Sequence, residues 1–402
     1  MPRGLPLKNV LRSGFVVTGC SAPPPSPERE SPLADPSHAG AGEELSVSFP
    51  FSVATGEYVL LRRHGNTGLP PSQHGKGVRG AAPRIPKGCD GVGVGCCVTT
   101  STFDVTRRDH VTVRVPATSA NLGPGFDALA VALDLAEDVT LARRPVGSAT
   151  RVHVSGINAS LLPHDETLLA YRSVVAAYRR MGRAVPALDL ELATRIPRSG
   201  GLGGSAAAIV AGVVAANTLE GMPLSQSEVL DLVAEMEGHP DNVSAALLGG
   251  LVVCVAGRDG LVSTRLPVPA ELQAVVCLPE ASISTKSARG VIPQTFPIGD
   301  AVFNLGRTAL IVAAFATRDW SLLRDGMDDR IHQPARGTIL AALHPVIAAA
   351  IDAGAHGAAL SGAGSAMIAL ATGHFDEIAA AMSDAARSEE HTSELQSRET
   401  IS

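Results

Sequence analysis

The segment Pro197, Arg198, Ser199, Gly200, Gly201, Leu202, Gly203, Gly204, Ser205 is dense in glycine and runs directly into Ala206, Ala207, Ala208, Ile209, Val210, Ala211 and Gly212, a strong helix former. Glycines let the backbone turn with positive φ and approach a ligand closely, and the unpaired N–H groups of a helix's first turn then point at whatever lies there. Binding of a phosphate is the chemistry such a loop suggests. Close packing of a small-residue helix start against a strand is the structural alternative, and for the loop by itself both stay open. No Lys-Ser or Lys-Thr follows the last glycine, so this is not a Walker A loop, and the spacing is not G-x-G-x-x-G.

Three further strings carry residues able to do chemistry. Pro116 to Asp127 (PATSANLGPGFD) is a turn-rich stretch with Asn121 and Asp127; Glu237, Gly238, His239, Pro240, Asp241, Asn242 follow a helical pattern; Ser361, Gly362, Ala363, Gly364 form a second glycine turn. Read singly, Glu237 is an ordinary helix-end acid, and Arg289 and Arg336 are lone surface arginines. The cysteines form no C-x-x-C pair and stand at no ligand spacing with histidine, which speaks against a structural metal or a disulfide framework.

The elements that must position these strings can be read from periodicity. Val111, Val113 and Val115 alternate as a half-buried strand that Pro116 is expected to end, and a further strand is expected over 138–142 after the apolar run 128–135. Strands are expected over 152–155 and 188–194, the latter delivering the chain into the glycine loop. Helices are expected over 167–181, 205–219 and 225–237, the last with Ser225 and Glu228 at capping-box spacing. After the strand 251–255 the pattern breaks over 257–269, which suggests a domain boundary. Strands at 273–278, 355–360 and 366–370 and helices at 300–317, 322–329, 339–353 and from Phe375 complete the series. Strands and helices without regular β-α alternation predict an α+β protein of two domains.

At 402 residues and 45% apolar residues the chain can bury a substantial core. A net charge of −6 without a long basic run argues against nucleic acid or an anionic membrane as main partner. Residues 1–107 are rich in proline and glycine and lack a sustained apolar period, so they are expected to be disordered, or not natural protein at all, with short strands conceivable near 46–51 and 58–61. No signal peptide is recognisable, and no segment reaches the ~20 apolar residues of a membrane span. A cytoplasmic protein is expected. The polar string 387–402 resembles a translated sequencing adapter, which implies that the natural chain is cut at about Ala386.

Three segments in this order and spacing, Pro116 to Asp127, Pro197 to Ala207 and Ala359 to Gly364, resemble the GHMP kinases. The first of them, together with Glu237 to Asn242, is similar to the homoserine kinase branch. The resemblance covers nearly all of 111–386. It implies a two-domain GHMP kinase architecture: an S5-domain-2-like N-terminal domain over 108–265 that binds ATP, and a ferredoxin-like C-terminal domain over 266–386. It implies ATP-dependent phosphorylation of the L-homoserine hydroxyl, in threonine biosynthesis, with Mg²⁺.

Carried over residue by residue, the resemblance places the ATP phosphates on Pro197, Arg198, Ser199, Gly200, Gly201, Leu202, Gly203, Gly204, Ser205, Ala206 and Ala207, closed by Gly362 and Gly364. Mg²⁺ falls to Ser205 and Glu237. Arg289 and Arg336 are implied to grip the substrate carboxylate, and Asn121, Asp127, His239, Asn242 and Thr285 to surround the rest of the substrate, with Asp127 the first candidate to take the hydroxyl proton. The resemblance is also compatible with a homodimer.

This chain departs from the family pattern in three places, one of them Ser365, which replaces the proline that commonly follows the third motif. Gly204 stands where a second hydroxyl is usual, and the family continues past the adapter-like point, so a final strand is expected to be missing and a sheet edge bare. A kinase for another small alcohol, such as a mevalonate-like compound or a sugar, and a nucleotide-binding protein with impaired catalysis are the competing functions.

Overall fold

In a computed structural model, residues 10–12, 46–47, 109–198, 200–279 and 283–399 are described. The N-terminal sheet is built on two long strands, β3 (His110–Ala120) and β4 (Leu129–Arg143), extended by β6 (Leu188–Thr194) and β5 (Arg151–Gly156). On the same edge of β4 as β6, β7 (Leu251–Ala256) pairs with the first residues of β4 and with β8 (Leu261–Leu266), while β2 (Ser46–Val47) adds a short parallel pairing on the far side of β3. The first described piece, β1 (Val10–Arg12), lies in the second sheet.

Three expectations about this sheet are corrected. Pro116 does not end β3: the strand continues to Ala120 across an irregularity in register between Pro116 and Thr118. Among the described residues only β4 pairs with Pro116, and such a position tolerates a residue lacking an N–H. The expected strand over 138–142 is the second half of a single 15-residue strand, β4. The segment 257–269, expected to be irregular, holds β8, whose mostly exposed residues offer no apolar alternation to read.

Helix α2 (Gly204–Leu219) is the centre of the molecule. Every residue from Ala206 to Leu219 is buried, as expected for a helix apolar all round. It packs between the sheet and the helices α1 (Leu169–Arg180) and α3 (Gln226–Glu237), and α4 (Asp241–Leu248) follows after a tight turn. The capping box at Ser225 and Glu228 is present, with both reciprocal hydrogen bonds.

The second sheet runs β1-β9-β11-β10, all neighbours antiparallel, with β9 (Gln273–Cys277), β10 (Gly357–Leu360) and β11 (Met367–Ala371). It is buried on both faces, and strand alternation sorts its side chains between two layers. Val275, Cys277, Leu360, Met367 and Ala369 pack under α9 (Leu343–Asp352) and α10 (Phe375–Glu399). Ala274, Val276, Ala359, Ile368 and Leu370 join the large core shared with α2 and the first sheet. One apolar core therefore carries both sheets, and the site lies where they meet.

Three further findings differ from expectation. The sheet edge beside β9 is paired by Val10–Arg12. Two short helices, α5 (Thr285–Gly290) and α8 (His332–Gly337), were not evident from periodicity. The helix α6 (Ile298–Thr317) is, by length and composition alone, apolar enough to cross a membrane. It buries Asn304, Ile311, Ala314 and Phe315 against the rest of the protein, notably α7 (Leu323–Gly326), and leaves Ile298, Val302 and Leu305 exposed. Helix α10 continues through the adapter-like string to Glu399, and residues 58–61 lie outside the described residues.

Candidate active site

The three glycine-bearing segments meet. Thr118 N–H donates to the Leu202 carbonyl (3.0 Å), Ala366 N–H to Gly200 (3.1 Å) and Gly362 N–H to Ala120 (3.0 Å). The Ser361 hydroxyl lies 2.7 Å from the Gly201 carbonyl and 2.8 Å from the Ser119 hydroxyl, tying all three together. Two glycines are demanded by this packing. Gly201 (φ +73°) faces the Ser361 carbonyl and Gly203 (φ +67°) the Thr118 hydroxyl, and a Cβ at either would overlap those atoms.

Along this seam runs a cleft of about 550 Å³. Its middle is the start of α2, where Gly203 in the left-handed conformation is the N-cap and no side chain caps the free N–H groups. A helix N-terminus left open in this way attracts an anion, with the helix dipole contributing up to ~2 kcal/mol. Pro197, Arg198, Gly200, Leu202, Gly204, Ser205, Gly362 and Gly364 line it as expected, while Ser199 lies outside the described residues. Ala206 and Ala207 bury their side chains in the core; the Ala206 N–H belongs to the open first turn of α2, whereas the Ala207 N–H is already bonded to the Gly203 carbonyl (2.9 Å), so Ala207 does not fit its expected role. The alanine on the cleft wall is Ala208, one turn along.

Beside the helix start, Ser205 Oγ donates to Glu237 Oε1 at 2.6 Å. Burial pushes the Glu237 carboxyl above its ordinary pKa, opposed by the Ser205 hydroxyl. His239 Nδ1 lies 2.8 Å from Asp241 Oδ1, a bond that raises the imidazole pKa, and the same carboxylate accepts the Asn242 N–H. Asn242 Oδ1 in turn accepts from the Thr118 hydroxyl (2.8 Å). His239 and Asp241 thus shape the turn between α3 and α4 and present Asn242 to the first motif.

Among the described residues no group of three His, Cys, Asp or Glu is arranged to hold a metal ion. One hydroxyl and one carboxylate do suit Mg²⁺, which commonly takes one or two protein oxygens and completes its octahedron with phosphate oxygens and water.

At the other end stand the charged residues. Asn121, in the left-handed region (φ +70°), donates to the Gly362 carbonyl (2.8 Å) and accepts the Asp127 N–H (3.1 Å). Arg289, from α5, forks onto Asp127 with bonds of 2.6 and 2.9 Å, and Thr285 at the start of α5 is on the cleft wall. The wall here is Arg289, which covers Asp127.

Arg336, on α8, is 2% exposed. Its Nε donates to the Ala288 carbonyl and its Nη1 to Gly362, so what it offers a ligand is Nη2. Burial, and then the charge of Arg289, bring its pKa down to about 10, still cationic at neutral pH. Phe126 lies between the two guanidinium groups, 5.4 and 5.5 Å from its ring centre.

Two groups were missed at the level of sequence. His332 is fully buried under this end; its Nε2 lies 2.7 Å from the Gly123 carbonyl and its Nδ1 3.1 Å from Arg336 Nη1, an arrangement suited to a neutral ring, and burial lowers its pKa. Asp329 below it accepts from the Asn304 amide and from the His332 and Gln333 N–H groups. No spacing rule could have found this network. The second is Glu137 on β4, which is on the cleft wall and 3% exposed. A signal for it existed: Leu133, Leu135, Glu137, Val139 and Leu141 keep one phase of a period-2 strand, so the carboxyl stands at an apolar position.

Residues 169–250 match the model of the GHMP kinase N-terminal domain and residues 311–388 that of the GHMP kinase C-terminal domain. A homoserine kinase of Carboxydothermus hydrogenoformans is 43% identical over 261 residues, 65% of this chain and 85% of that protein. One from Deinococcus radiodurans is 44% identical over 253 residues, 63% of this chain and 81% of that protein. The crystal structure of homoserine kinase from Cytophaga hutchinsonii superposes with a TM-score of 0.62 at 32% identity, covering 70% of this chain and 91% of that one. With both domain models matched and relatives at 43% and 44% identity spanning most of their own length, this chain belongs to the homoserine kinase family of the GHMP kinases.

Proposed function

We propose that the protein transfers the terminal phosphoryl group of ATP to the side-chain hydroxyl of L-homoserine, giving O-phospho-L-homoserine and ADP. The observation that carries this is the placement of an open helix N-terminus and the Ser205–Glu237 pair at one part of the cleft and, at another, of Arg289, behind which Asp127 is held.

Homoserine is a zwitterion, and Asp127 with Arg289 is its charge complement. On binding, the substrate carboxylate takes the place of the Asp127 carboxylate on Arg289, where a planar fork holds it better than a lysine would, and Arg336 Nη2 assists. Asp127 is thereby released toward the substrate's ammonium and hydroxyl ends. Asn121 is fixed on the Gly362 carbonyl and Asn242 by the Thr118 hydroxyl, and both hold the same region in register.

The N–H groups at Gly204 and Ser205 hold the phosphates at the start of α2. Ser205 and Glu237 would hold Mg²⁺, which supplies neutralisation of the charge that develops on the phosphate oxygens. Phosphoryl transfer through a loose transition state asks mainly for alignment and charge stabilisation, and correct placement can be worth ~7–11 kcal/mol. A strong base is not required. Asp127, released from Arg289 by the substrate carboxylate, has free lone pairs and can accept the hydroxyl proton as transfer proceeds.

The test is ADP release from ATP and Mg²⁺ with L-homoserine, with mevalonate or a sugar, or with no acceptor. Homoserine-dependent release is expected. Release with another alcohol alone would move the substrate assignment, and ATP binding without any transfer would reduce the protein to a nucleotide binder.

A further inference from the structure

Glu137 is the one carboxyl in this cleft without an explanation among the groups assigned above. It is 3% exposed, and its Oε1 is buried with no hydrogen-bond partner among the described residues. A buried polar atom left unpaired costs roughly 1–3 kcal/mol, so native proteins retain one chiefly where something else will meet it.

The position says what that is. Resting on the kinase reading, the phosphates occupy the start of α2 and homoserine the end with Arg289 and Arg336. The remainder of the nucleotide then lies along the opposite part of the cleft, walled by Ile157, Leu162, Leu168, Leu192 and Ile196. This is an apolar slot suited to the flat face of a base. Glu137 shares its strand face with the core, while Asp138 turns to the other face, toward Arg114 and Arg195.

We propose that the carboxyl of Glu137 reads the nucleobase, meeting the ring nitrogen and the exocyclic amino group of adenine with a donor and an acceptor side by side. A carboxylic acid offers an O–H and a C=O on one carbon, and the Watson–Crick edge of adenine offers the matching acceptor and donor. A carboxylate offers two acceptors and would instead suit the neighbouring N–H donors of guanine.

Its surroundings favour the acid. Burial, and then the charge of Asp138, push its pKa up to about 8. No cation faces it. Helix α2 contains no charged residue, and Leu192 and Thr194 of β6 are neutral. Arg114 and Arg195 are engaged with Asp138, Arg198 donates to the Leu161 carbonyl, and Arg180 pairs with Glu235. Asp165 is tied to Thr167.

The experiment compares the full-length wild type with Glu137→Gln and Glu137→Ala. It measures KM and kcat for ATP and GTP from pH 6.5 to 9, and ATP binding without homoserine by calorimetry. Glutamine keeps a donor beside an acceptor at all these pH values; alanine keeps neither. For Glu137→Ala we expect ATP affinity and KM to worsen about tenfold, the worth of about one or two hydrogen bonds, with kcat and the KM for homoserine near wild type. In the wild type, preference for ATP over GTP should fall as pH rises through about 8. Glu137→Gln should hold ATP as wild type does at pH 7 and lose that pH dependence.

Unchanged ATP binding in both variants overturns the inference, as does a pH dependence that survives in Glu137→Gln. A variant that melts below the wild type also counts against it, since the carboxyl would then be serving the fold. A wild type that binds ATP but transfers nothing to homoserine would sink the kinase reading while leaving this comparison intact.

Discussion

Arg289 and Asp127 face each other through two hydrogen bonds of 2.6 and 2.9 Å across 162 residues of sequence. Because a guanidinium fork matches a carboxylate and an ammonium does not, Arg289→Lys is expected to raise the KM for homoserine about tenfold or more while leaving the KM for ATP unchanged. Asp127→Asn is expected to lower kcat by about 10²-fold. Steady-state kinetics with each substrate varied in turn checks both; equal effects on the two KM values would show that the pair serves folding rather than substrate.

Neighbouring glycines in the phosphate loop are expected to respond in opposite ways. A Cβ at Gly204 would lie 3.6 Å from Ile196 Cγ2, an ordinary contact, and Gly204 is already the first helical residue. Gly204→Ser should therefore fold, melt slightly higher by about 0.4–1 kcal/mol and retain or increase turnover, since it adds a hydroxyl beside Ser205. Gly203→Ser meets the Thr118 hydroxyl in a left-handed backbone and should lose both stability and ATP binding. Melting curves with and without ATP distinguish the two.

The Ser205–Glu237 pair predicts a change in metal dependence. Glu237→Gln removes the one carboxylate beside the helix start, so the Mg²⁺ concentration for half-maximal rate should rise about tenfold or more, with kcat reduced. A Mg²⁺ titration at fixed ATP is the measurement, and an unmoved midpoint would remove Glu237 from the metal site.

Glu137 carries a stability prediction of definite sign. Its folded pKa, about 8, lies above the ordinary 4.5, so its contribution is complete below pH 4.5 and is lost as pH rises through 8. Glu137→Gln lacks this loss and should be more stable than wild type at pH 7 by up to about 3 kcal/mol. Urea melts at pH 5 and pH 8 should show the gap widening with pH.

Much of this fold and site is legible in the chain. The strand at Leu188–Thr194, the capping box at Ser225 and the glycine loop opening α2 each express a local rule, period 2, reciprocal capping or positive φ, that the tertiary structure leaves intact. What could not be read depends on partners far away. Pro116 sits inside a strand where, among the described residues, no second neighbour needs its missing N–H, α5 and α8 are too short to show a period, and Asp329 supports His332 only after α6 and α8 have met. Glu137 was readable only once β4 was recognised as one strand: cut at Ala136, its phase disappears.

The first and last of the three motifs are joined by hydrogen bonds such as Asn121 to Gly362 and Ser119 to Ser361, which span 241 and 242 residues. During synthesis at ~5–20 residues per second, the first motif therefore waits on the order of tens of seconds for its cover. Through that interval the growing chain can form the first sheet and bury α2, yet it has no closed cleft in which to hold a nucleotide. Catalytic competence arrives late in translation, and arrives at once, when the turn after β10 leaves the ribosome and docks on a surface completed long before.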